Sequence, residues 1–185
     1  SWGCLLALAY AATHPERVHA LLLRGVFLGT DRELDSYLAN FTGRQPDESA
    51  RTCIERLRRD FECGNPASRT ATTLRWLAHE ASLMGETPAD ARDASNQAKT
   101  RIQLHYLASH AYPGEAVLLG AATVHGLPGV IVQGTRDPVC PPATARILAD
   151  ACPSLELREV AEGCHGQFDP GILDASLKAL ETLGA

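Results

Sequence analysis

Two aliphatic runs, Val18 to Leu28 (VHALLLRGVFL) and Pro128 to Gln133 (PGVIVQ), constrain this chain more than any other feature. Apart from Arg24-Gly25 they are nearly continuous, so each reads as a strand buried on both faces, and such strands belong to parallel sheets covered by helices. Leu155 to Val160 (LELREV) is a weaker, alternating third run. Helical patterns stand between and around them: residues 2–13, rich in Ala and Leu and closed by His14-Pro15, then Pro142 to Ala151, then Gly171 to Leu183. The order predicts an α/β fold with a parallel sheet.

The stretch from Gly29 to about Gly114 carries almost no strand signal. Charged and apolar residues recur at helical spacing over Asp31–Phe41, Asp47–Phe61, Pro66–Met84 and Ala89–Ser109, punctuated by Gly64-Asn65-Pro66 and Gly85-Glu86-Thr87-Pro88. The expected organisation is a core of residues 1–29 and 113–185 with a helical cap at 30–112. Three strands leave one side of a parallel sheet open, and the chain starts on Ser1 without Met. It therefore reads as the rear part of a longer fold.

Composition removes several partners. Seventeen Lys and Arg against twenty-two Asp and Glu, a net charge of −5, leave no excess positive charge for nucleic acid. The longest apolar run, Cys4 to Ala12, is far short of the ~18 residues of a membrane helix, so no bilayer partner is expected. No basic lead opens a secretory signal, and a cytoplasmic setting is expected. The six cysteines show no C-x-x-C and no zinc-ligand spacing with histidine, which predicts reduced, mostly structural thiols. His14, His19, His79, His105, His110 and His125 show no ligand spacing either, so neither metal nor cofactor is expected. Oligomeric state is open.

Three residues carry the chemistry. Ser1-Trp2-Gly3 is the second half of G-x-S-x-G, the turn that raises a nucleophilic serine between a strand and a helix; its plain reading is a helix N-cap. Asp137 follows the second strand in GTRDPVCP, and His165 follows the third in EGCHGQFDPG; alone, each reads as a turn or loop residue. Serine, acid and histidine in that order, with the last two after successive strands, favour a nucleophilic triad over three unrelated residues. Cys164, beside His165, reads as a buried inert thiol, and Arg24-Gly25 as a strand end.

SWGCLLALAYAATHPERVHALLLRGVFL, VIVQGTRDPVCP and GCHGQFDPGIL together resemble the proline iminopeptidases, α/β-hydrolases that release N-terminal proline. The resemblance implies a partial α/β-hydrolase sheet with an inserted all-helical cap. It also implies Ser1 as nucleophile, His165 as base, Asp137 as acid and the Trp2 N–H as one oxyanion donor. The family binds the substrate amine with two cap glutamates; the matching positions here are Leu77, after Trp76, and Gln103 in RIQLHY. Glu80, one turn beyond Leu77, is the substitute carboxylate or else a solvated one, and Gln103 keeps an acceptor without the charge. The substrate expected is a small peptide or an ester. Three readings follow: an aminopeptidase acting on N-terminal proline, an esterase or amidase for a neutral substrate, and a truncated non-catalytic remnant. By the resemblance, the strands and the oxyanion loop that the family places before the serine are absent, and residues 1–185 alone are expected to be inactive.

Overall fold

The computed structural model describes residues 1–109, 120, 124 and 126–184. His110, His125 and the expected cap boundary at residues 112 and 113 lie outside them. The chain divides into two units, one of Ser1–Glu33 with Pro113–Ala185 and one of Leu34–Tyr112. It passes between them within helix α2 (Asp31–Tyr37). No helix among the described residues is long and apolar enough to cross a membrane.

The first unit is α/β. Helix α1 (Trp2–Thr13) and a short 3-10 turn (Pro15–Arg17) lead into strand β1 (Leu21–Arg24). After the second unit come β2 (Gly129–Gly134), α6 (Pro142–Ala151), β3 (Leu155–Val160) and α7 (Pro170–Gly184). The sheet order is β1-β2-β3, all parallel, with Leu21 beside Gly129 and Gly129 beside Leu155. Strand β2 is central and buried throughout, as its unbroken apolar run requires. Val130 and Val132 pack with Leu22 and Val160 against Ile172, Ala175, Ala179 and Leu183 of α7. Leu21, Leu23 and Ile131 are equally buried. Each such aliphatic side chain contributes about 1.5–3 kcal/mol on leaving water.

The first aliphatic run is shorter as a strand than its composition predicts. Pairing stops at Arg24, because Gly25 turns the backbone into the left-handed region at φ +57°. Val26 and Leu28 remain buried, but side chains replace the ladder: Val26 N–H donates to Gln133 Oε1 and Leu28 N–H to the Glu33 carboxylate.

The second unit is helical, with α3 (Ala50–Cys63), α4 (Pro66–Met84) and α5 (Ala94–Ala108) packed on one another. Its helices begin at side-chain caps: Ser49 accepts from Thr52 N–H, Asn65 from Ser68 N–H, and Asp93 from Ser95 and Asn96 N–H. The caps explain why α3 and α5 start later than their periodicity suggests. Helix α4 ends at Gly85 in the left-handed conformation, φ +67°.

Candidate active site

All three triad candidates stand at the carboxyl end of the sheet. Asp137 lies in the loop after β2, nearly buried, and its Oδ1 accepts from the backbone N–H groups of Val139 (2.9 Å) and Cys140 (2.8 Å). That turn leaves Oδ2 pointing away from its own loop, where it accepts from His165 Nδ1 at 2.8 Å and Gln133 Nε2 at 3.3 Å. The loops after β2 and β3 meet directly: Arg136 N–H donates to Gly163 O, and a Cβ on Gly134 would lie 2.3 Å from that oxygen. Only glycine at 134 permits this approach, which sets the Asp137 to His165 distance.

His165 is fixed on three sides. Arg24 Nη1 donates to its carbonyl at 2.7 Å, tying the end of β1 to the loop after β3. Gly25 faces the ring so closely that a Cβ there would sit 3.0 Å from Cε1. Asp169 braces the loop from behind: Oδ2 accepts from Cys164 N–H, and Oδ1 caps α7 through Gly171 and Ile172 N–H. These donors hold the Asp169 carboxyl below its usual range.

Ser1 reaches the same end through its backbone nitrogen, which donates to Arg24 O at 2.8 Å. Cys4 N–H donates to Ser1 O, starting α1 at the next residue, and Trp2 stacks on Phe27 with centroids 6.0 Å apart. Asp137 and His165 are thus joined directly. Ser1 shares the Arg24–Gly25 segment with His165 and makes no hydrogen bond to it among the described residues.

The cap residues form their own cluster within the helical unit. Wholly buried Trp76 donates Nε1–H to Gln103 Oε1 at 3.1 Å, which fixes the amide so that Nε2 donates to Glu80 Oε1 at 2.6 Å. Tyr37 OH donates to the same oxygen at 3.5 Å, and Lys99 Nζ lies 3.4 Å from Oε2. Glu80 is therefore a held carboxylate rather than a solvated one, and Gln103 spends its amide on it. Leu77 is buried.

Cys164 corrects its reading: it is exposed, because Gly163 and the Asp169 bracket turn it outward. Cys140 is the buried thiol near the pair, and burial and the Asp137 charge push it far above the ordinary thiol range. Asp137, Cys140 and His165 place ligand-type atoms within 4.8 Å of one another. The carboxylate of this group accepts four hydrogen bonds, one of them from the imidazole. Sequence reasoning passed over Gln133 and Asp169 and gave Arg24 no more than a strand end. Asp169 alone had a local signal, an Asp-Pro-Gly opening to a helix.

Such an arrangement has relatives. The chain is 31% identical over 99% of its length to a proline iminopeptidase of Neisseria meningitidis serogroup A, of which it covers 64%. It is 29% identical over 98% of its length to a probable proline iminopeptidase of Leptolyngbya boryana, of which it covers 63%, and 31% identical over its whole length to one of Arabidopsis thaliana, of which it covers 54%. The chain thus spans less than two thirds of the length of these relatives. In fold it is similar to a haloalkane dehalogenase loop variant from Bradyrhizobium elkanii (TM-score 0.61, 18% identity, 100% of this chain and 65% of that one). An acetylester hydrolase from Corynebacterium glutamicum is similar too (TM-score 0.59, 12% identity, 98% of this chain and 59% of that one). A family profile described as the alpha/beta hydrolase fold matches residues 1–171. With a three-stranded parallel sheet carrying an acid and a histidine on successive loops, and with proline iminopeptidases among its sequence relatives, the chain belongs to the alpha/beta hydrolase family.

Proposed function

We propose that this chain carries the nucleophile, acid and base of a serine hydrolase that releases an N-terminal residue, proline by preference, from short peptides. The observation that carries the reading is the 2.8 Å contact between His165 Nδ1 and an Asp137 carboxylate fixed by two backbone N–H groups. An acid so placed leaves His165 Nε2 as the base. As Ser1 Oγ bonds to the substrate carbonyl carbon, its proton passes to Nε2, and Asp137 stabilises the imidazolium. The proton then goes to the leaving amine as the C–N bond breaks, and water repeats the sequence to free the acid. The Trp2 N–H, at the first turn of α1, is one oxyanion donor. The reading involves no metal, cofactor, nucleic acid or bilayer, and its setting is the cytoplasm, which suits the buried thiols of Cys4, Cys53 and Cys140.

A second reading, an esterase or amidase for a neutral substrate, is favoured by one observation: Gln103 stands where a carboxylate would meet an amine, and its amide is bound to Trp76 and Glu80. The experiment uses the full-length protein that contains this chain, with an activated ester, a Pro-arylamide and its N-acetyl analogue, together with a fluorophosphonate whose site is mapped by mass spectrometry. Expected is labelling at Ser1 and turnover abolished in Ser1→Ala. Labelling elsewhere, or turnover indifferent to Ser1 and His165, overturns the assignment. Equal kcat/KM for the free and acetylated arylamides selects the esterase or amidase.

A further inference from the structure

Gln133 is a polar residue with no solvent exposure at the end of the central strand, and every atom of its amide is used. Oε1 accepts from Val26 N–H at 3.1 Å. A backbone N–H can only donate, so the carboxamide has one orientation, and Nε2 must face the acid loop. There it donates to Cys140 O at 3.0 Å and to Asp137 Oδ2 and Gly134 O, both at 3.3 Å. Val26 follows Gly25, which faces the His165 ring, and Arg24, whose carbonyl accepts from the Ser1 backbone nitrogen. One side chain therefore bridges the segment that seats Ser1 and the loop that presents Asp137.

We propose that Gln133 is a positioning residue for the reaction. Its amide clamps the exit of β1 to the acid loop, and its N–H keeps Asp137 Oδ2 directed at His165 Nδ1. The proposal rests on the serine-hydrolase reading for its effect on turnover, but not for its effect on His165. A neutral donor suits the task. It orients the carboxylate without cancelling the charge that an imidazolium needs, as a lysine or arginine would. The charged and titratable groups around the clamp are Asp137 and Cys140 on its own loop, His165 and Arg24 beyond them, and Glu33 and Cys4, whose fields reach Cys140.

The test, run on the full-length protein that contains this chain, compares the parent with Gln133→Leu and Gln133→Glu. Leucine removes the acceptor and the donors together, and kcat is expected to fall about 10- to 100-fold with KM little changed. Gln133→Glu keeps the shape. While protonated, its carboxyl accepts from Val26 N–H and donates toward Asp137; once ionised, it sets a second carboxylate against the first. Turnover is expected to persist on the acid side of the profile and to fall as pH rises, giving a descending limb absent from the parent. Independently of turnover, the His165 ring followed by NMR is expected to titrate at higher pH in Gln133→Glu, since added negative charge beside Asp137 favours imidazolium. Parent turnover that resists serine reagents removes the hydrolase reading and leaves the His165 titration to decide Gln133. An unshifted His165 in Gln133→Glu overturns the proposal, and so does a folded Gln133→Leu chain whose kcat stays within about twofold of the parent.

Discussion

Asp137 in the α/β unit and Glu48 in the helical unit are both nearly buried carboxylates, and they are held in opposite ways. Glu48 meets a guanidinium: Arg56 Nε donates to Oε1 and Nη2 to Oε2, both at 2.8 Å, while Gln45 N–H adds a third bond. The fork cancels its charge and holds its carboxyl down to about 2. Asp137 meets two backbone N–H groups, a neutral amide and an imidazole. The first arrangement spends its charge on stability. The second orients a carboxylate toward an imidazole without a cation to cancel its charge, which is what the proposed role of Asp137 requires.

The comparison breaks most sharply at Asp137. Asp137→Asn keeps the size but turns a donor toward His165 Nδ1, so the ring adopts the wrong tautomer, and kcat is expected to drop about 10⁴-fold with the fold intact. Steady-state kinetics with an activated ester, beside a circular-dichroism melt, check both halves of that statement. A loss under tenfold would put Asp137 outside the proton path.

Glu48→Gln is expected to do the reverse, leaving kcat alone and lowering stability by about 1–2 kcal/mol at neutral pH. The sign follows from the pair: a carboxyl at about 2 in the folded chain against 4.5 unfolded stabilises above 4.5, and this is lost as pH falls toward 2. The gap in urea midpoint between parent and variant should therefore be smaller at pH 3 than at pH 7. A constant gap would mean that the contribution of Glu48 is packing rather than charge.

Glu80 is the intermediate case, held by Gln103, Tyr37 and Lys99 but partly open to solvent. If it meets a substrate amine, Glu80→Gln is expected to reduce the preference for a free over an acetylated arylamide by about tenfold or less, through KM. No change in that ratio assigns the cluster to packing within the cap alone.

What was legible in the residues, and what was not, follows from the range of each interaction. Strands β2 and β3 and helix α6 fall where their apolar patterns place them, because burial of a run is a local signal. The placement of Asp137 and His165 after successive strands was legible from their order along the chain; their contact was not. The early end of β1 was not, because Val26 and Leu28 depend on Gln133 and Glu33 for their hydrogen bonds. Arg24 and Gln133 look like an exposed strand end and a buried misfit until their partners, on other loops, are known. Glu80 was ambiguous for the same reason: a helical glutamate is solvated or engaged according to what the next helix brings.

The α/β unit is interrupted in sequence, since Leu21 pairs with Gly129 and the whole helical unit lies between. On the ribosome the leucines of β1 therefore emerge well before β2, the strand that pairs with them here. Helices α3, α4 and α5 are made in succession and meet neighbours close in sequence, so the entropy of closing their loops is small and they assemble first. For that interval the side of Leu21 to Leu23 that β2 pairs with is unpaired, and a crowded polysome offers it the same edge on another nascent chain. The time spent synthesising residues 34–112, a segment that holds no part of the proposed triad, sets the length of that exposure.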